Sequence, residues 1–324
     1  MNQFIILFHF ISICQPGAVH ANVLPDYIKY HERIVEAECL IASEDFKGAL
    51  QVYEELLNGY DFVFLRDHQI ASQLALYLNQ RQKAREFLLN GIRAGWTLKS
   101  IRKNAFLKRL RKDRDWKSIK VQYHTLNEEF TAALNLQLRK RVKKMFSRDQ
   151  WKALGALFTF SAKAQDKYAE RRFAPHSEKQ IKEFQTIIDK YGYPGEKLIG
   201  NDFWMSTILS HHNSISTKYN RNDTLYDDIR PDLMQALRLG QISAFEYALI
   251  DEWYRATIND DKKGTYGILE GPLQGELEAT NKRRGMVFLR EIETQNRLVE
   301  IEAETGMDFY LEGHPWEGVE INIR

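Results

Sequence analysis

Cysteine is nearly absent: the 324 residues hold only Cys14 and Cys39, which support neither a disulfide framework nor a cysteine zinc site. Charge of one sign is absent too, with 46 Lys+Arg against 44 Asp+Glu. No Gly-x-Gly-x-x-Gly, phosphate loop, His-Glu-x-x-His, Gly-x-Ser-x-Gly or Cys-x-x-Cys occurs, which removes the common nucleotide, zinc-protease, serine-hydrolase and thiol-redox signatures. No stretch reaches the roughly 18 uninterrupted apolar residues of a membrane-spanning helix. What is present, 44% hydrophobic and 12% aromatic residues, excludes a disordered tail and suffices for two domains with their own cores.

Residues 1–21 read as a secretory signal peptide: the run from Phe4 to Cys14 is apolar apart from His9 and Ser12, and Val19-His20-Ala21 has cleavage spacing. The competing reading is a buried N-terminal helix, since Met1-Asn2-Gln3 carries no Lys or Arg. Export predicts a periplasmic or extracellular protein with no transmembrane segment in the mature chain. Cys39, then the remaining cysteine, is expected to be buried and reduced.

Between residues 22 and 96 the pattern is helix, turn, helix, with an echo. Phe46-Lys47-Gly48-Ala49 precedes Tyr53, and Gln82-Lys83-Ala84 precedes Leu88; Ala49 and Ala84 are 35 positions apart. This resembles a degenerate pair of tetratricopeptide repeats, with Leu56 and Gly91 at the usual second small position. Two such units are fewer than the three or more that normally stand alone, so they must lean on something else. Residues 97–146 read as a basic helical linker containing one long helix over 121–145, with Leu126, Phe130, Leu134, Leu138, Val142 and Met145 spaced by threes and fours. Helices follow near 149–168, 177–191, 201–210, 230–239, 243–258 and 283–304, with a capping box at Ser243 and Glu246. The fold class is mostly α: tetratricopeptide-like hairpins, then an all-helical domain over 147–316 and a short tail over 317–324.

Five motifs in order, Asp149-Gln150, Gly192-Tyr193-Pro194, His211-His212, Ala248-Leu249-Ile250-Asp251-Glu252 and Tyr266-Gly267, resemble an uncharacterised bacterial domain of unknown function. The resemblance spans about half the chain and implies a helical architecture and a candidate polar site, without a reaction. Glu252 stands where the family has Arg, and the segment from Gly264 to Leu269 lacks its two glutamines.

The catalytic candidates are His212, Asp251 and Glu252. His212 is read as a general base near Asp251, and Asp251 as a carboxyl that apolar neighbours such as Trp253 and Tyr254 keep partly buried with a raised pKa. The competing readings are a satisfied core histidine and an Asp251–Arg255 salt bridge. His211 and His212 point about 100° apart on a helix, so one metal rarely takes both. Gln150, Tyr266 and Gly267 are ligand-binding candidates, and Asp149 is expected to cap a helix after Ser147. Residues 260–271 form a hydrophilic connection or a lid. No metal and no cofactor are assigned.

Residues 93–120 hold 11 Lys+Arg and 2 Asp+Glu, residues 139–152 hold 7 and 1, and residues 223–324 hold 11 and 21. The basic stretches read mainly as solvated or as attracted to the acidic half, so no nucleic acid is expected. The expected function is a protein- or peptide-binding module. The alternative is a hydrolase-type enzyme with an acid-base site around His212 and Asp251.

Overall fold

The computed structural model describes residues 26–110, 114–159, 161–259, 265–315 and 318–324. The expected signal peptide lies outside the described residues. The described chain is helical, its only β feature among described residues being an isolated bridge between His314 and Gly318.

The first four helices, α1 (Tyr27–Ala42), α2 (Phe46–Gly59), α3 (Leu65–Tyr77) and α4 (Arg81–Arg93), pack as two consecutive antiparallel pairs. Small residues set the approach: Ala37, Ala49 and Ala84 are fully buried, and a Cβ on Gly91 would lie 2.9 Å from the Trp96 ring. Asp26 and Asp45 start α1 and α2 by accepting hydrogen bonds from the backbone N–H of Ile28 and Gly48. Cys39 is exposed on α1, not buried as expected: Ala37, Glu38 and Ile41 occupy the inward face and Cys39 falls outside that stripe.

After α5 (Leu98–Lys103), the expected long helix is two: α6 (Arg114–Ala133) and α7 (Leu136–Leu154). Asn135 divides them, its side chain accepting from Leu138 N–H at 3.0 Å while its own N–H donates to Leu198 O at 2.9 Å. Across this break the chain changes core. Ile119 and Leu126 of α6 join the first core, whereas Leu138, Val142 and Met145 of α7 join the second.

The second core is built by α7, α9 (Ala174–Tyr191), α11 (Trp204–Asn213), α13 (Leu225–Arg238) and α14 (Ala244–Ile258); the short α8 (Ala162–Tyr168), α10 (Glu196–Ile199) and α12 (Thr217–Asn220) connect them. Two expectations are corrected here. Helix α13 starts before Arg230 and runs through Pro231, which is exposed, so the proline does not mark the start. Asp149 caps nothing: it lies inside α7, fully buried. The expected helix over 283–304 is also two, α15 (Leu277–Gly285) and α16 (Ile292–Thr305), separated by a turn with Phe288 at φ 61°.

Helix α16 returns to the first core. Leu298, Ile301, Met307 and Phe309 pack with the residues of α1 to α4, so the support that the two hairpins lack arrives from the far end of the chain. Ile301 is 0% exposed, and Ile301→Ala is expected to lower stability by about 2–5 kcal/mol in urea unfolding. A loss below about 1 kcal/mol would mean that α16 merely lies on the surface of that core.

Candidate functional site

Ser243 starts α14, accepting from Glu246 N–H at 3.2 Å, and the helix then carries Asp251 and Glu252 inward, both 0% exposed. Asp251 accepts hydrogen bonds from the hydroxyls of Tyr226 and Tyr266, each at 2.9 Å, with Arg230 and Arg255 each 3.4 Å away. Glu252 accepts backbone N–H groups from Thr265, Tyr266, Ile268 and Leu269 at 2.5, 2.8, 2.9 and 3.4 Å. Burial pushes the Glu252 carboxyl up, opposed by those four bonds. The motif thus folds a loop: Glu252 clasps residues 265–269, Gly267 turns at φ 70°, and Tyr266 delivers its hydroxyl to Asp251. Residues 260–264 of the expected lid lie outside the described residues, while the described remainder begins with this clasp.

His212 makes no hydrogen bond to Asp251, although their helices pack together through Asn213 and Ile250. Its Nδ1 meets Ser177 Oγ at 3.0 Å and its Nε2 meets Asp223 Oδ2 at 2.9 Å, with 1% of the residue exposed. Burial pushes Asp223 up, but the hydrogen bond and charge of His212 outweigh it and hold that carboxyl below its ordinary range. Ser177 is also fully buried, so the Ser177–His212 contact lies within packed protein, with Asp223 half-buried beside it. His211 turns the other way, to Asp149 Oδ2 at 2.5 Å, and Gln150 Nε2 reaches the same oxygen at 3.4 Å. The candidates therefore fall into three separate networks. Asp251, Glu252, Tyr266 and Gly267 share one set of hydrogen bonds, His212 bonds to Ser177 and Asp223 instead, and Gln150 belongs to a third.

An acid-lined cavity of about 130 Å³ lies where the two cores meet, far above the roughly 10–15 Å³ that one water needs. Helix α1 contributes Tyr30, His31 and Glu38; the start of α3 contributes Arg66 and Asp67; α10 contributes Glu196; the start of α14 contributes Phe245 and Glu246; the turn before α16 contributes Phe288 and Arg290; and Glu312 lies beyond α16. With Asp202, which is paired to Arg139 at 2.6 Å, six carboxyl groups thus share one space with two guanidiniums.

Their environments differ. Burial alone would push Glu38 up, but Arg290 at 2.5 Å and Arg66 at 2.7 Å overcome it and hold the carboxyl below its ordinary range. Asp67 takes the Tyr30 hydroxyl, yet burial still raises it to about 7. Glu196 caps α3 from a distance, accepting Leu65 N–H at 2.6 Å where Phe64 has no side-chain acceptor to offer, and burial raises it to about 8. Glu246 accepts the Tyr193 hydroxyl at 2.8 Å and is raised by burial to about 7. Burial also raises Glu312. His31, lowered by burial to about 4, is neutral, and its Nε2–H donates to Leu237 O at 3.1 Å.

None of these cavity acids was legible as a site. They stand at positions 38, 67, 196, 202, 246 and 312, so only Glu196 and Asp202 fall near each other in sequence, and the one motif among them, Ser243 with Glu246, reads as helix capping. Comparison with protein-family models, with curated proteins and with solved structures finds no match to this chain.

Carboxyls in unfolded chains titrate near 4, so a folded state holding Asp67, Glu196 and Glu246 at about 7, 8 and 7 binds the extra protons and loses stability as pH rises through that range. His31 and His68, lowered by burial to about 4, act oppositely, adding stability as pH rises to roughly 6.5. The unopposed window is therefore roughly pH 6.5–8. The thermal midpoint is expected to fall across it, and to fall less in a Glu196→Gln, Glu246→Gln double variant; a wild-type midpoint that stays level or rises would contradict this.

Proposed function

We propose that the protein is a binding module whose partner, a protein or peptide, inserts a basic side chain into the cavity between the two cores. The carrying observation is the imbalance of charge in the lining, six carboxyls, of which Asp202 is paired to Arg139 and Glu38 to both lining guanidiniums, with burial raising three of the others to about 7 to 8. Protons silence the excess acid; an ammonium or guanidinium group would replace them, and Tyr30, Phe64, Phe245 and Phe288 offer ring faces beside it. The hairpin pairing supports the reading. The first helix of each pair, α1 and α3, faces the cavity, and helical hairpin arrays present such inner faces to peptides.

A second reading is acid-base hydrolysis by the cavity acids in place of His212 and Asp251. It is favoured by one observation: Glu38 is held ionised in the same cavity where Asp67 and Glu246 keep protons to about pH 7.

Calorimetric titration with the tripeptide Gly-Lys-Gly, in two buffers of different ionisation enthalpy, tests both. Binding is expected to release protons, to weaken as pH drops below 6, to weaken about tenfold in Glu246→Gln, and to vanish for the Nε-acetylated peptide. Equal affinity for the acetylated peptide would refute the charge argument, and steady heat that never saturates would favour the hydrolytic reading.

A further inference from the structure

A second cleft, remote in character from the first, opens between α7 and α9 with a volume of about 580 Å³, within the usual range for small-molecule sites. Helix α7 lends Arg148, Trp151 and Lys152, which its three- and four-residue spacing sets on one face; α9 lends His176, Lys179 and Gln180. The acid in the lining, Glu183, is already bonded to Arg141 at 2.8 Å, and among the described residues Arg148, Lys152 and Lys179 have no ion pair. Their charge reaches His176. Burial lowers its pKa, and Lys152, Arg148 and Lys179 depress it further against the pull of Asp149.

Two buried polar atoms in the lining also lack partners. Gln180 is 4% exposed; its Nε2 donates to Met145 O at 2.8 Å, but its Oε1 accepts nothing, and His176 Nε2 is likewise unpaired. Buried hydrogen-bonding groups are normally satisfied, and both of these belong to residues that line the basic cleft. At the rim, Trp151 is 77% exposed, an apolar face uncovered beside the cations.

We propose that this cleft binds an organic phosphate: the phosphoryl oxygens meet Arg148, Lys152, Lys179 and His176 Nε2, and the flat or apolar body of the ligand covers Trp151. A phosphoryl group matches three cations better than a carboxylate, because it carries close to two negative charges and three strong acceptor oxygens. A protonated phosphate oxygen or a ligand N–H satisfies Gln180 Oε1. Both a nucleoside monophosphate and a phosphatidic acid headgroup carry such a phosphomonoester, and the test separates them.

Tryptophan emission of the full chain and of Trp151→Phe is followed against adenosine monophosphate, inorganic phosphate, and phosphatidylcholine vesicles with and without phosphatidic acid. A saturable change with the nucleotide, absent in Trp151→Phe, displaced by inorganic phosphate and weakened about tenfold or more in Lys179→Gln, is the expected result for a soluble ligand. Lys179 is exposed, so that variant tests charge without disturbing the core. A response confined to the anionic vesicles, with the same dependence on Trp151 and Lys179, assigns the phosphate to a lipid. No Trp151-dependent response to any probe, or an equal response to acetate at matched ionic strength, overturns the proposal.

Discussion

One buried carboxylate, Glu38 of α1, holds the molecule together by sitting between two guanidiniums that come from distant parts of the chain: Arg66 at the start of α3 and Arg290 in the turn before α16. Placing three charged groups out of water is costly unless each is met by partners, and here each is. Arg66 also donates to Tyr310 O at 3.2 Å, and Arg290 to Gln295 Oε1 at 2.5 Å. Gln295 in turn donates to Glu312 O and Val319 O, so the segment after α16 is tied through the same joint. The apolar return of α16 onto the hairpins and the polar joint at Glu38 specify the same arrangement from two directions.

That joint also decides which acids are available for chemistry. Glu38 engages both guanidiniums of the cavity, leaving Asp67, Glu196, Glu246 and Glu312 with hydroxyl or amide donors or none, and burial then raises the pKa of each. Asp251 and Glu252 are as deeply buried but fully supplied, the first by two tyrosines and two arginines, the second by four backbone N–H groups. A buried acid surrounded by donors and by packed side chains is a structural element. One that borders empty space and lacks compensating charge is poised to bind.

Local signals in the sequence were reliable where chemistry is local. The spacing of Ala49 and Ala84, the capping box at Ser243 and the opposite bearings of His211 and His212 all correspond to features of the fold. Periodicity misled at Asn135, because the apolar threes and fours continue through a break that only a capping side chain and the contact with Leu198 create. The capping rule misled at Asp149, which lies inside α7 and whose partner His211 is 62 positions away. The pairing of His212 with Asp251 failed because Ser177 and Asp223 satisfy both ring nitrogens, and neither residue carries a motif. The cavity acids were invisible for the same reason: their common feature is a place in space, created only when residues 38 and 290 meet.

The most direct test of this account is carbon-13 NMR titration of the side-chain carboxyls of the intact protein, assigned by Glu-to-Gln and Asp-to-Asn substitution. Asp67 and Glu246 are expected to titrate near 7 and Glu196 near 8, with Glu38 below the ordinary range for glutamate. Midpoints near 4 for all of them would show that the cavity acids are solvated or paired, and the charge imbalance on which the proposed function rests would not exist.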